Sequence, residues 1–202
     1  FVNSAGGSFY NEDRTACALD SDASIAGLTF YQDLYASGSG VPFGEDAEPP
    51  FKAGTLGMFI NGRWATPGAR EITSFNWDVA PLPTGAAPGK DWLFWGAYVV
   101  NANTANPDAA WKLVEALTST EVQDKVASLG ANIPSRTSQE AIDAFLTYTP
   151  PANNQAFVDG IQNDPVAEGP LWTGSWPAFD KASGDEVTAL MTGKITIDEF
   201  QK

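Results

Sequence analysis

The segment from Phe51 to Trp64 constrains the fold of this chain more than any other stretch of its sequence. The apolar run from Leu56 to Ile60 is typical of a short β-strand, and Asn61-Gly62 is a common turn sequence because glycine tolerates positive φ angles. A tryptophan follows this turn directly. We therefore predict a strand, a tight turn, and a large aromatic side chain at the rim of a cleft.

The residues of this segment leave two interpretations of Trp64 open. A tryptophan after a turn often covers a hydrophobic core, since aromatic side chains account for much of the burial in a domain. It can also present a flat apolar surface to a ligand, such as the C–H face of a sugar ring. In the second case, Asn61 and Arg63 would be hydrogen-bonding neighbours of the stacked ligand.

Five segments of the chain resemble motifs of one protein family. Residues 51–64 resemble the signature F-x-x-G-x-x-A-M-x-I-x-G-x-W of family 1 extracellular solute-binding proteins, the receptors of ABC importers that include maltose-binding protein. The other four follow in the family's order: FNWDVAPLP at 75–83, NPDAAW at 106–111, GANIPSR at 130–136 and TGKITIDE at 192–199. The resemblance covers essentially the whole chain and favours the ligand-stacking interpretation of Trp64.

The resemblance implies an α/β fold of the periplasmic-binding-protein type, the type II Venus flytrap, in which two lobes close on a ligand. Family members are substantially longer, so we predict that these 202 residues are an incomplete, helix-rich C-terminal portion of a larger receptor. Residues 1–84 would form the first part of the C-terminal lobe, 92–136 would return to the N-terminal lobe, and 150–202 would supply the final helices of the C-terminal lobe. The hinges would lie near 83–92 and 134–151.

The resemblance also yields a set of candidate ligand-binding residues. Arg136 matches the family's arginine after a crossover proline, where a guanidinium can donate to sugar hydroxyls, although a solvated surface arginine is an equally open interpretation. Trp95 departs from the usual glycine-rich start of the crossover strand and either narrows the pocket, stacks on ligand or packs. Trp172 and Trp176 either line the cleft or pack in a core or between lobes. The full set is Asn61, Arg63, Trp64, Trp95, Gly96, Arg136, Trp172 and Trp176.

Helix signals are clear at several places in the sequence. Asp20 or Ser21 is predicted to cap a helix that runs to about Ser37, and Asn106 to cap a second helix whose first residue is Pro107. Thr196 and Glu199 are predicted to form a capping box. Trp111 lies on the apolar stripe of the helix that Pro107 opens, and we predict that it is buried in a core. Further strands are predicted at 77–82 and 95–101.

Composition excludes several classes of function. The chain has 25 acidic and 11 basic residues, a formal net charge of −14, which disfavours nucleic acid and anionic membrane surfaces as partners. It has no histidine and one cysteine, so no Ser-His-Asp or Cys-His catalytic arrangement and no common zinc site can be built from it. We predict no catalytic residue, metal or cofactor, and no apolar run is long enough for membrane insertion. Cys17 is expected to be a small buried residue beside a strand, or to pair with a cysteine outside this segment.

The resulting functional prediction is a carbohydrate receptor of an ABC sugar importer. Its partners would be a small sugar ligand, the ABC permease and the missing N-terminal part of the receptor. The family implies an extracytoplasmic location, with a lipid anchor on that missing part as one option. Two alternatives remain: a sugar-binding module without a transporter, and a glycoside hydrolase that uses carboxylates near Trp172 and Trp176, namely Asp164, Glu168 and Asp180.

Overall fold

Helices dominate the computed structural model, which describes residues 1–130, 132–163, 165–167 and 174–202. The described α-helices are α1 Asp22–Ala36, α2 Glu48–Lys52, α3 Thr66–Ala69, α4 Pro107–Leu117, α5 Thr120–Ser128, α6 Gln139–Leu146, α7 Gln155–Gln162, α8 Trp176–Met191 and α9 Ile197–Phe200. Single 3₁₀ turns lie at Asn3–Ala5 and Arg63–Ala65. Two short strands, β1 Trp92–Leu93 and β2 Val166–Ala167, pair in parallel.

The chain forms two compact units, each assembled from separated segments. The first unit consists of Phe1–Gly57, Leu82–Leu93 and Pro165–Lys202, and the second of Met58–Pro81 and Phe94–Asp164. These bounds differ from the predicted lobe segments in two respects, because residues 58–81 and 150–164, both predicted to lie in the C-terminal lobe with the start of the chain, belong to the second unit. The assignment of 1–84, 92–136 and 150–202 to particular lobes stays a prediction.

The core of the first unit joins the beginning of the chain to its end. Val2, Leu19 and Leu28 are buried together with Leu190 and Met191 of α8. The side-chain amide of Gln32 in α1 donates to the carbonyl of Leu190 at 2.9 Å. Burial of these aliphatic side chains, about 1.5 to 3 kcal/mol each, therefore fixes α8 against α1.

The core of the second unit is built mainly from α5, α6 and α7. Ala127, Phe145 and Val158 are its buried centre. The buried amide of Asn154 donates to the carbonyls of Tyr148 and Pro151, each at 2.8 Å. Those bonds supply partners for backbone carbonyls in the connection between α6 and α7, where no helical ladder is available.

The predicted helix starts are confirmed at α1, α4 and α9, although the predicted cap of α4 is wrong, because the Asn106 side chain accepts no capping hydrogen bond. Ser21 caps α1 by accepting a hydrogen bond from the Ser24 backbone amide, and Pro107 is the first residue of α4. Thr196 and Glu199 form the predicted capping box at the start of α9. These signals depend on neighbours within four residues, so they need no information about the rest of the fold.

The predicted strands at 56–60, 77–82 and 95–101 are wrong for this structure, in which those segments carry no strand assignment. Gly62 also has a φ of −83° and not the positive value that the Asn-Gly sequence suggested. A strand is stable only with a hydrogen-bonding neighbour, and an alternating sequence does not specify which segment that neighbour is. Among the described residues, pairing is limited to β1 with β2 and a bridge between Tyr10 and Cys17.

Two burial predictions are corrected by the structure. Cys17 is exposed, because it lies in a surface hairpin opposite Tyr10. Trp111 is 58% exposed, because α4 buries none of its residues, and its indole N–H donates to Glu115 at 3.0 Å. Within the described ranges, no helix combines the length and apolar composition needed to cross a membrane.

Candidate ligand-binding site

Trp64 lies in the 3₁₀ turn of the second unit with its side chain 53% exposed. The ring of Phe94 contacts it edge-on, with centroids 5.0 Å apart and planes at 81°. On Gly62, a Cβ atom would lie 2.2 Å from the six-membered ring of the indole. The absence of a side chain at Gly62 therefore lets the indole lie against the backbone, and the contacts with Gly62 and Phe94 hold an exposed aromatic ring in place.

Other large apolar side chains of the same unit are exposed in the neighbouring sequence. Trp95 is 60% exposed, and Gly96 follows with no atom within 4 Å of the position a Cβ would occupy. Met58 and Ile60, which precede the Trp64 turn, are exposed as well. Aromatic rings that remain in water are available to stack on a ligand, which is the property expected of a sugar-binding surface.

Arg63 is placed differently from its neighbour Trp64, because its side chain is buried. The guanidinium carbon lies 4.8 Å from the ring centroid of Phe145 and 5.1 Å from that of Phe157. Nη1 donates to the Thr66 hydroxyl at 2.6 Å, whereas Nε and Nη2 have no hydrogen-bond partner. The structure thus does not bring this guanidinium to the exposed side of Trp64, and ligand contact by Arg63 stays a prediction.

Burial changes the protonation equilibrium of Arg63. Loss of solvent around the guanidinium, and secondarily the nearby positive charge of Arg70, lower the pKa of Arg63 to about 10. Two aromatic faces stabilise the cation through their electron-rich surfaces. Arg63 therefore acts in this structure as an internal support for the turn that carries Trp64.

The remaining candidates of the second unit lie on its surface. Asn61 is exposed, and its side-chain oxygen accepts a hydrogen bond from the Gly62 amide at 2.7 Å, which helps to shape the turn before Trp64. Arg136 is exposed and donates from Nε and Nη2 to the Thr118 carbonyl, at 3.1 and 2.5 Å. The Arg136 guanidinium thus closes the C-terminal end of α4 and retains other donor positions.

The first unit contains Trp176, the first residue of α8. Its ring lies 5.5 Å from that of Phe179, which in turn lies 5.7 Å from that of Tyr10. Trp172 lies outside the described residues, as do Asp164 and Glu168, two of the three carboxylates considered for hydrolysis. Asp180 is exposed on α8.

The structure thus divides the candidate residues between the two units. Asn61, Arg63, Trp64, Trp95, Gly96 and Arg136 belong to the second unit and Trp176 to the first. Sequence reasoning missed Phe94, the ring that contacts Trp64, and the pair Tyr10 and Phe179. The signal for Phe94 was its position beside Trp95, whereas nothing in the sequence pointed to the pairing of Tyr10 with Phe179.

The residues that the structure describes contain no group of three or more histidine, cysteine, aspartate or glutamate side chains arranged to hold a metal ion. The candidate site consists of aromatic faces and hydrogen-bonding groups, and such a surface is suited to binding.

Residues 2–150 match the family described as bacterial extracellular solute-binding protein. The chain belongs to this family. It is 27% identical over 175 residues to a maltotriose-binding protein of Pyrococcus abyssi, an alignment that covers 83% of the chain and 35% of the relative. It is 28% identical over 148 residues to a maltooligosaccharide ABC transporter solute-binding lipoprotein of Streptococcus pneumoniae, covering 67% of the chain and 34% of that protein.

Solved structures show the same fold. An ABC substrate-binding protein from Listeria monocytogenes in complex with cycloalternan superposes with a TM-score of 0.81 at 20% identity, over 99% of the chain and 52% of that protein. The predicted periplasmic-binding-protein fold class and the helix-rich character are thereby confirmed. The chain spans about a third of the length of the Pyrococcus and Streptococcus relatives and about half of this solved structure.

Proposed function

We propose that this chain is part of a carbohydrate receptor that delivers its ligand to an ABC importer. The observation that carries the proposal is the exposed indole of Trp64, held by Gly62 on one side and by Phe94 edge-on. A fixed aromatic ring in water provides stacking area for a sugar at a low cost in conformational entropy. The names of the relatives from Pyrococcus and Streptococcus, which refer to maltotriose and maltooligosaccharide, support a maltose-type oligosaccharide as the ligand.

The charge of the chain supports a neutral ligand. With a formal net charge of −14, the surface repels anions, and the Arg63 guanidinium is buried among aromatic rings. A neutral oligosaccharide requires only stacking faces and hydrogen bonds to its hydroxyl groups. Trp64 and Trp95 provide such faces, and Asn61 and Arg136 are exposed groups that can bond hydroxyls.

The proposal includes capture without catalysis. Ligand would bind between two lobes of the complete receptor, with 1–84 and 150–202 in the C-terminal lobe and 92–136 in the N-terminal lobe. Ligand would favour closure of the lobes because it binds the closed state with higher affinity. The closed receptor would then be recognised by the permease. An extracytoplasmic location agrees with the family, and a lipid anchor would be supplied by a part of the receptor outside this segment.

An exposed apolar groove in the second unit supports the proposal that this segment is completed by further receptor chain. The groove has a volume of about 210 Å³, and Val99, Leu113, Val114 and Leu117 are among its lining residues. Val99 is 85% exposed, whereas most aliphatic side chains of a complete domain are buried. We propose that the N-terminal part of the receptor packs on this groove.

Substitution of Trp64 tests the proposed function. In the complete receptor, Trp64→Ala is expected to weaken maltotriose binding by about 1 to 3 kcal/mol, the usual value of a buried stacking contact, while the melting temperature of the ligand-free protein changes little. Trp64→Phe retains an aromatic face and is expected to recover part of the affinity. Trp111→Ala, which removes another exposed tryptophan of the same unit, serves as the matched control.

Isothermal titration calorimetry of the three variants gives the affinities directly. Unchanged affinity in Trp64→Ala together with a large fall of its melting temperature would assign Trp64 to the core and contradict the proposal. Equal losses in Trp64→Ala and Trp111→Ala would show that the effect is not specific to the Trp64 surface.

A further inference from the structure

A surface depression in the first unit is lined by polar side chains that are not part of the candidate site described above. Its volume is about 400 Å³, within the range of small-molecule sites. Tyr10, Pro165 and Val166 give it apolar walls, and Ser8, Glu12 and Arg14 give it polar groups. All of these residues belong to the same compact unit.

The polar groups of the depression are presented by a hairpin that its own side chains hold in shape. The side-chain oxygen of Asn11 accepts hydrogen bonds from the backbone amides of Thr15 and Ala16, at 2.9 and 3.1 Å. The carboxylate of Asp13 accepts a hydrogen bond from the Thr15 hydroxyl at 2.7 Å, a bond that lowers the pKa of Asp13. The loop between Tyr10 and Cys17 is thus held in shape by hydrogen bonds from its own side chains.

Arg14 occupies a backbone conformation that is unusual for its type. Its φ angle is 60°, in the left-handed region, whereas the other positive φ angles of the described chain belong to glycines. This conformation is unfavourable for a residue with a Cβ atom, and a glycine would adopt it without strain. The hairpin therefore carries a guanidinium at a position where local backbone preference favours a glycine.

Glu12 and Arg14 together define the class of ligand that fits. Within the described part of the chain, neither side chain takes part in an ion pair or a hydrogen bond. An anion attracted by the Arg14 guanidinium would also be repelled by the Glu12 carboxylate, and a cation attracted by Glu12 would be repelled by Arg14. A neutral polyol avoids both costs, because its hydroxyls donate to the carboxylate and accept from the guanidinium.

The depression is connected to a candidate residue of the proposed function through aromatic rings. Tyr10, one of its walls, contacts Phe179 with a centroid distance of 5.7 Å, and Phe179 contacts Trp176 at 5.5 Å. Tyr10, Phe179 and Trp176 thus form a row of three rings, the aromatic row, that leads from the start of α8 to the depression. Aromatic faces in succession suit successive sugar units of one oligosaccharide.

We infer that the depression bounded by Tyr10, Glu12 and Arg14 is an additional saccharide subsite, which binds the far end of an oligosaccharide that lies along the aromatic row. This inference rests on the proposed function, since it specifies how a longer ligand is distinguished from a shorter one. A ligand that ends at Trp176 gains nothing from the subsite. A ligand that extends to Tyr10 gains hydrogen bonds to Glu12 and Arg14.

The test compares maltotriose with maltoheptaose by isothermal titration calorimetry on the complete receptor. The wild-type protein is expected to bind maltoheptaose about tenfold more tightly than maltotriose, the value of one or two charge-assisted hydrogen bonds. Arg14→Gly and Glu12→Gln are each expected to remove most of this difference while leaving the maltotriose affinity within about twofold of the wild-type value. Lys181→Gln, which removes a surface cation of the same unit on α8, should retain the full difference.

Arg14→Gly also provides an internal check on folding. Because glycine adopts the φ of 60° without strain, this variant is expected to melt at the wild-type temperature or above it. A loss of selectivity in a protein of undiminished stability then arises from the missing guanidinium and not from damage to the fold. Glu12→Gln replaces the carboxylate by an amide of the same shape and gives a second, independent readout.

The outcomes separate the subsite from the function on which it rests. If maltotriose binds and the two variants keep the wild-type preference for maltoheptaose, the subsite is refuted and the receptor function stands. If the wild-type protein binds both sugars equally, the subsite is likewise refuted. If the wild-type protein binds neither sugar, the maltose-type function fails and the subsite fails with it.

Discussion

Replacement of Arg63 measures the balance of forces on a charge in the core of the second unit. A folded-state pKa of about 10, against an ordinary value of 12.5, corresponds to about 3 kcal/mol of unfavourable free energy for the charged form. Contacts with the rings of Phe145 and Phe157 return about 1 to 2 kcal/mol each, because the cation is desolvated. The two contributions nearly cancel.

This balance predicts a characteristic order among three substitutions. Arg63→Met removes both contributions and keeps apolar contact with the two rings, so the free energy of unfolding should stay within about 1 kcal/mol of the wild-type value. Arg63→Lys keeps a desolvated charge but loses the planar stacking, and should cost about 1 to 3 kcal/mol. Arg63→Ala leaves a cavity between the rings and should cost about 2 to 4 kcal/mol.

The pH dependence of the free energy of unfolding provides a second test, because it depends on the lowered pKa of Arg63. Because the pKa of Arg63 is lower in the folded than in the unfolded protein, the unfolded state binds more protons between pH 10 and 12.5, and stability contributed by this group rises with pH in that window. The free energy of unfolding of the wild-type protein minus that of Arg63→Met should therefore be about 1.4 kcal/mol larger at pH 11 than at pH 8. The tyrosines and lysines common to both proteins cancel in this difference.

Urea denaturation of the complete receptor at pH 8 and pH 11 supplies the free energies of unfolding. A loss above about 3 kcal/mol in Arg63→Met would show that the guanidinium makes a strong bond that the balance above leaves out. A stability difference that does not change between pH 8 and pH 11 would refute the lowered pKa.

Two further predictions concern the Trp64 surface and its ligand. Gly62→Ala would place a Cβ 2.2 Å from the indole of Trp64, at a φ angle that alanine tolerates. Calorimetry should therefore show at least about tenfold weaker maltotriose binding. Gly57→Ala, whose Cβ would have no atom within 4 Å, is the control and should bind normally. Full affinity in Gly62→Ala would mean that the placement of the indole is not required. For a neutral sugar, the affinity of the complete receptor should change less than about twofold between low and high salt, and a steep loss with added salt would indicate a charged ligand.

The sequence was informative where structure depends on near neighbours. Ser21 and Thr196 cap their helices as predicted, since a cap needs only a side-chain oxygen and an amide three residues away. The prediction of a strand at 56–60 was wrong because a strand needs a hydrogen-bonding neighbour, and the local sequence pattern does not identify which distant segment that neighbour is. The family resemblance identified the fold class because its five motifs are spread along the chain in the order that family members have.

The arrangement of the candidate residues could not be predicted from the sequence. The exposure of Trp64 agrees with the ligand-stacking interpretation, yet its neighbour Arg63 lies in the core, and a charged residue type gives no warning of such burial. The sequence did not indicate the depression beside Glu12 and Arg14, because it is also lined by Val166, which is about 150 positions further along the chain. Contacts of that kind follow from the fold and not from spacing.

The order of segments in the first unit has a consequence for folding. Its core joins Leu28 to Leu190, and the bond from Gln32 to Leu190 spans 158 positions. All segments of the second unit, by contrast, precede Pro165. During synthesis the second unit can therefore close its core around Phe145 while α1 still exposes the apolar side that α8 will cover. A chaperone that binds exposed apolar helices could bind α1 during that interval, until residues 165–202 have been synthesised and α8 covers it.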